Sequence, residues 1–201
     1  YQQEDRDGRQ ERKKEGLAKT HRFMLRTKVP GGRVTVAQYL VHDALASCFG
    51  NGTLRITARQ VFQLHGVLKT DLRETLRRIN TSLLSTLGAC GDVVRNLVLC
   101  PCPGAGNVEG ELGRQMTQLS AHFSPKTQAY SEIWLDGEKC ATAAEEEEEP
   151  LYGSVYLPRK FKIGFALPWD NCVDILAQDI GFVAVVDKDR LSGFNVYVGG
   201  G

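Results

Sequence analysis

Residues 53–68 read TLRITARQVFQLHGVL, and the assignment of this stretch decides the fold. Its β-branched and aromatic content argues for strands rather than a helix. Alternation puts Leu54 and Ile56 on one face and Arg55, Thr57 and, if pairing continues, Arg59 on the other. By the same rule Gln63 and His65 share a face on the segment that follows. One side of the strand pair is then apolar, and the other carries cations and hydrogen-bond donors.

Working outward, residues 1–20 are almost wholly polar and read as an arm. Phe23 to Lys28 reads as a strand, closed by the turn signal Pro30-Gly31-Gly32. Thr35 is placed to cap a helix with Val36, Tyr39, Leu40, Ala44 and Leu45 on one face. Between Thr70 and Leu84, helical spacing links Leu72, Leu76, Ile79 and Leu83. Strand, helix, two strands and a helix make an α+β sandwich. A second part starts near Gly88. It carries a helix over 107–123 with Leu112, Met116, Leu119 and Phe123 as its stripe, and strands over 129–135, 160–167, 180–186 and 193–198. No internal repeat is visible.

The chain has 201 residues, 42% hydrophobic and 24% charged, an ordinary globular composition. No apolar run is long enough to span a bilayer, so no membrane role is expected. The acidic run Glu145–Glu149 reads as a solvated loop, and setting it aside leaves the remainder basic, which suits an anionic ligand. The six cysteines form no C-x-x-C pair, and Cys100-Pro-Cys102 has nothing nearby to complete a ligand set. Reduced, structural thiols are expected, with no metal ligand from this chain. The sequence begins at Tyr1 and closes on Gly199–Gly201 directly after a strand-like run, so it reads as a fragment.

Residues 156–162, YLPRKFK, put Lys160 and Lys162 on one face at the mouth of an apolar strand. Taken alone, a strand end whose lysines reach to water explains that. The pattern recurs, however, with Arg26 in FMLR, Arg55 and Arg59 in the strand pair, and Arg95 in VVRNLVL. Four apolar segments each delivering a cation suggest one shared polyanion. Nucleic acid is not favoured, because the cations are not interleaved with exposed aromatics and no recognised module appears. A carboxylate-rich cofactor with a small anionic substrate fits better.

FMLRTKVPGG, LRITARQVFQLHG, GACGDVVRN, AYSEIWLDGEK, EPLYGSVYLPRKFK and GFNVYVGGG together resemble the sulfite/nitrite reductase haemoprotein family, in the family's order and over nearly the whole chain. GACGD and GTLRIT look closer to the ferredoxin-dependent plant and cyanobacterial type than to the NADPH-linked bacterial subunit. The resemblance implies an α+β fold, with a polar arm over 1–21, a ferredoxin-like half-domain over 22–88 and a truncated sirohaem-binding lobe over 89–201. It implies an oxidoreductase that reduces sulfite to sulfide with six electrons at a sirohaem coupled to a 4Fe–4S cluster, with ferredoxin as donor. The cluster's cysteine ligands would lie beyond Gly201, so the fragment alone should be inactive. A plastid stroma is implied for a plant or alga, and the cytoplasm for a bacterium.

By motif position, Arg26, Arg95, Lys160 and Lys162 match the basic residues that surround the substrate. Arg55, Thr57, Arg59, Gln63 and His65 match the stretch that contacts the macrocycle, and Arg159 and the closing glycines lie in segments near the cofactor. Sulfite is an oxyanion whose oxygens need fixed positive donors. Arginine stays charged throughout, whereas lysine can donate and regain protons as S–O bonds break. Sirohaem carries eight carboxylates, which would meet the inward cations. Val94 departs from the family's usual asparagine before Arg95. The sister activity, nitrite to ammonia, has the same fold and cofactors, but nitrite-specialised members tend to carry Asn at the position of Lys162. A third reading is a non-catalytic anion- or nucleic-acid-binding protein that kept the fold.

Overall fold

The computed structural model describes residues 2–4, 9–18, 21–101, 106–126, 134–135, 138–139 and 149–200. It comprises two compact units, Tyr1–Ala89 and Cys90–Gly201.

In the first unit, strands β1 (Gln2–Glu4), β2 (His21–Thr27), β3 (Leu54–Ile56) and β4 (Phe62–Leu68) form one sheet. Its order is β1-β2-β4-β3, and all neighbours are antiparallel. A short helix α1 (Arg9–Lys14) follows β1, and α2 (Val36–Cys48) and α3 (Leu72–Thr81) follow β2 and β4. Leu45 and Ala46 of α2 and Ile79 of α3 pack on Leu64 and Val67 of β4, with Leu25 and Leu54 beside them. Each fully buried aliphatic side chain of this kind contributes about 1.5–3 kcal/mol.

Thr35 caps α2 as its sequence suggests. Its hydroxyl accepts from the Gln38 amide at 3.2 Å, and the Gln38 side-chain oxygen accepts from the Thr35 amide at 2.9 Å. The buried face of α2 differs from the expected one. His42, Leu45 and Ala46 are buried, whereas Val36, Tyr39 and Leu40 are exposed. The cause is His42. Its Nδ1–H donates to the Gln38 carbonyl at 2.7 Å, and its Nε2 accepts from the Thr27 hydroxyl at 2.9 Å, which turns this edge of the helix onto β2. Burial pushes the His42 pKa below its ordinary value, against the opposing effect of the Gln38 bond. α3 likewise ends at Thr81, and Leu83, expected in the stripe, sits at positive φ and is 90% exposed.

In the second unit, β5 (Val98–Leu99), β8 (Ile163–Ala166), β9 (Ile180–Asp187) and β10 (Arg190–Val198) form a sheet in the order β10-β9-β8-β5. β5, β8 and β9 run parallel, and β9 and β10 make an antiparallel hairpin with a bulge between Leu191 and Gly193. Helix α4 (Gly106–His122) buries Leu112 and Met116 against Leu99, Ile163 and Phe165, as its stripe implies. A two-stranded ribbon, β6 (Trp134–Leu135) and β7 (Glu138–Lys139), completes the described elements. Most of the strand expected over 129–135, and Glu145–Glu148, lie outside the described residues.

Glu149, read from its acidic run as solvated, is buried at 2% exposure. Its carboxylate accepts from the Lys126 amide at 2.9 Å and the Leu151 amide at 3.4 Å, so backbone donors replace its water.

Candidate functional site

In the first unit the pairing register lines up Arg26, Gln63 and Arg55 across β2, β4 and β3. The adjoining row is Leu25, Leu64 and Leu54, which faces the helices. Side chains alternate along each strand, so the polar row occupies the opposite face and His65 joins it from β4. The Gln63 amide, oriented to satisfy both neighbours, accepts from Arg26 Nε at 2.8 Å and from Arg26 Nη2, and its nitrogen donates to His65 Nε2 at 3.2 Å. In that orientation His65 Nε2 is the unprotonated, accepting nitrogen. Burial, then Arg55 and Arg26, hold its pKa below the ordinary value.

The strand ends at Ile56, and one further bond in the same register closes the hairpin. The Thr57 amide donates to the Val61 carbonyl at 3.0 Å, the Gln60 amide to the Thr57 carbonyl at 2.9 Å, and the Arg59 amide to the Thr57 hydroxyl at 3.2 Å. This tight turn takes Arg59 off the strand row on which alternation had put it, while Thr57 stays at the row's end. It also leaves Ile56, expected on the apolar face, 73% exposed at the sheet edge. Gly66 answers a local need, with φ at +80° where the chain passes Asn51, whose amide donates to the His65 carbonyl at 2.8 Å.

In the second unit Val94 bridges Phe161 in parallel. The Arg95 amide donates to the Phe161 carbonyl at 2.9 Å, and the Phe161 amide to the Val93 carbonyl at 3.1 Å. Alternation across this pairing puts Arg95, Lys160 and Lys162 on the side away from Phe161. Arg95 is half-buried, and its Nε donates to the Gly91 carbonyl at 2.7 Å. Val94 is buried in the core, its amide donating to the Tyr152 hydroxyl at 3.2 Å.

The strand expected over 160–167 is shorter, running from Ile163 to Ala166. The Lys162 amide leaves the ladder for the Asp179 carboxylate at 2.6 Å, while its carbonyl still accepts from the Ile180 amide at 3.1 Å. Lys160 and Arg159 are exposed. Lys162 is half-buried, and its Nζ donates to the Ala177 carbonyl at 2.9 Å. Asp179, which no motif singled out, also stands 4.0 Å from Arg159 Nη2 and accepts at its carbonyl from the Gly199 amide at 3.2 Å. It thus joins three segments that were expected to lie near a cofactor. Gly200 passes so close to the Leu176 carbonyl that no Cβ fits. A pocket of about 360 Å³ between α4 and the aromatic cluster, lined by Leu119, His122, Phe165, Phe182 and Phe194, contains none of the expected site residues.

Comparison with known proteins supplies the class. Residues 16–82 match the nitrite/sulfite reductase ferredoxin-like half domain, and residues 115–201 the nitrite and sulphite reductase 4Fe-4S domain. The chain belongs to the nitrite and sulfite reductase family. It is 50% identical over 201 residues to the sulfite reductase [NADPH] hemoprotein beta-component of Staphylococcus saprophyticus, matching 100% of this chain and 35% of the relative. It is 53% identical to the proteins of the same name from Paenibacillus sp. and Myxococcus xanthus, with the same coverage. The chain thus spans about a third of the length of these relatives. The solved structure of the Mycobacterium tuberculosis NirA protein superposes with a TM-score of 0.65 at 22% identity, over 90% of this chain and 28% of that one, and supports the α+β fold.

Proposed function

We propose that this chain forms part of a sulfite reductase haemoprotein, in which residues 22–88 serve as the ferredoxin-like half-domain and 89–201 as a sirohaem-binding lobe. The observation that carries the reading is the pairing of Val94 with Phe161, which sets Arg95 on the same side as Lys160 and Lys162. Three of the four cations expected around an oxyanion come from one short pairing. Arg26, the fourth, is half-buried on the polar face of the other unit's sheet.

The residues also suit the cofactor. Arg26 bonds a neutral amide and Lys162 a neutral carbonyl, so neither contact cancels its charge. A macrocycle bearing many carboxylates matches a sheet face that presents Arg26, Arg55 and His65, with Arg159 a further contact in the other unit and Thr57 and Arg59 contributing from the turn. When bound, sirohaem with its 4Fe–4S cluster would relay electrons from an external donor for a six-electron reduction. Arg26 and Arg95 hold the oxyanion's oxygens in place, and Lys160 and Lys162 deliver protons at Nζ as those oxygens leave as water. Asp179 fixes the backbone from which Lys162 projects.

The reported relatives carry NADPH in their names, so NADPH-derived electrons are the better-supported supply than ferredoxin. Those relatives are bacterial, which favours the cytoplasm over a plastid. The test is reduction by the full-length protein, given a reduced viologen dye and either sulfite or nitrite. Faster turnover of sulfite to sulfide supports the reading. Faster nitrite reduction would move the protein to the sister activity, and turnover of neither would leave an anion-binding protein.

A further inference from the structure

Cys100, directly after β5, and the loop after β8 meet at one edge of the second unit. Cys100 Sγ, a carboxylate oxygen of Asp170 and Cys172 Sγ lie within 4.8 Å of one another. We propose that these three side chains form a site for a thiophilic divalent cation of the zinc class, distinct from the residues assigned above to haem and substrate. It rests on local geometry alone and does not depend on the sulfite reading.

The donor set is the first argument. Two thiolates and a carboxylate are three of the four ligands of a tetrahedral zinc site, and soft sulfur ligands exclude magnesium and calcium. Ligand atoms around such an ion lie within about 4 Å of each other, so the three need close by no more than about 1 Å. Cys172 is exposed and free to make that adjustment, whereas Cys100 is buried at 1% exposure and fixed.

The preparation of the ligands is the second. Cys100 Sγ–H donates to the Asp170 carbonyl at 2.9 Å, which places its sulfur beside the loop, and this bond is given up when the metal displaces the proton. One Asp170 carboxylate oxygen accepts from the Cys172 amide at 2.9 Å, which orients the carboxyl group and leaves its other oxygen for an ion. The loop is itself held, since the Asp170 amide donates to the Leu167 carbonyl at 3.1 Å and the Ile175 amide to the Asn171 side chain at 2.7 Å. On binding, each thiol releases its proton to solvent and the metal takes its place; no electron is transferred. The exposed Cys172 side leaves the fourth position for water. Bound metal would clamp the 167–174 loop to the end of β5.

The test uses the full-length protein, kept reduced, loaded with zinc chloride and dialysed against metal-free buffer, with zinc and iron measured together. The result expected is about one zinc per chain in the parent protein, mostly lost in Cys172→Ser and in Asp170→Asn, with iron unchanged in both. Asp170→Asn keeps an oxygen for the Cys172 amide, so its loss of zinc reports ligation rather than misfolding. Absence of zinc in the parent, equal zinc in Cys172→Ser, or a Cys100–Cys172 disulfide in the protein as isolated would overturn the proposal.

Discussion

The backbone amide of Arg95 donates to the carbonyl of Phe161 at 2.9 Å, across a sequence gap that separates two motif segments. Through that bond an arginine and two lysines from different parts of the chain share one side of a parallel pairing. The same logic operates in the first unit, where Arg26 and Arg55 sit in one register row on either side of Gln63. In both, backbone pairing brings together cations from separate segments of the chain.

Lys162 is assigned to proton delivery. In the full-length enzyme Lys162→Met should lower kcat by about 100-fold or more, with a much smaller rise in the KM for sulfite. Steady-state kinetics decide the matter, and full turnover with weakened sulfite binding alone would count against the assignment.

Asp179 acts through Lys162, Arg159 and Gly199 rather than on substrate. Asp179→Ala frees the Lys162 amide, at a cost of about 1.5–3 kcal/mol for a lost bond to a charged group. Turnover should fall with it, and Asp179→Asn, which keeps an acceptor, should recover part of both. Denaturant unfolding and kinetics on the same two variants separate this from a purely structural role.

Some of this was legible beforehand. The apolar–polar alternation of 62–65 foretold which side of β4 carries Gln63 and His65, because successive side chains of a strand point to opposite faces. Thr35 announced the start of α2 for an equally local reason, and the structure adds Gln38 as its capping partner. The buried face of α2 was not legible, because a histidine bonded to a distant threonine outweighed Val36, Tyr39 and Leu40. Glu149 was hidden by its neighbours, since composition cannot say which member of an acidic run meets backbone donors. Asp179 and the meeting of Cys100 with Cys172 depend on contacts between distant segments, for which no spacing rule exists.

Glu149→Ala should destabilise the protein by about 1–3 kcal/mol, because it removes the charged acceptor of the Lys126 and Leu151 amides. Urea unfolding checks this, and a loss no larger than a surface substitution gives would place the carboxylate back in solvent.

Acid should weaken the first unit through its two depressed histidines. His42 and His65 both have folded pKa values below the unfolded value of about 6.5, so the unfolded chain binds more protons as pH falls. The stability conferred by keeping them neutral is fully present above that unfolded value and declines as pH drops through it toward the folded values. Thermal unfolding at pH 8 against pH 5.5 should show the fall, and His42→Gln should flatten part of it.

The most direct test of the central claim is a structure of the full-length protein with sulfite bound. Sirohaem is expected against the face carrying Arg26, Gln63 and Arg55, with side-chain nitrogens of Arg26, Arg95, Lys160 and Lys162 converging on the sulfite oxygens at about 3 Å. A sulfite bound elsewhere, with these four cations turned to solvent, would contradict it.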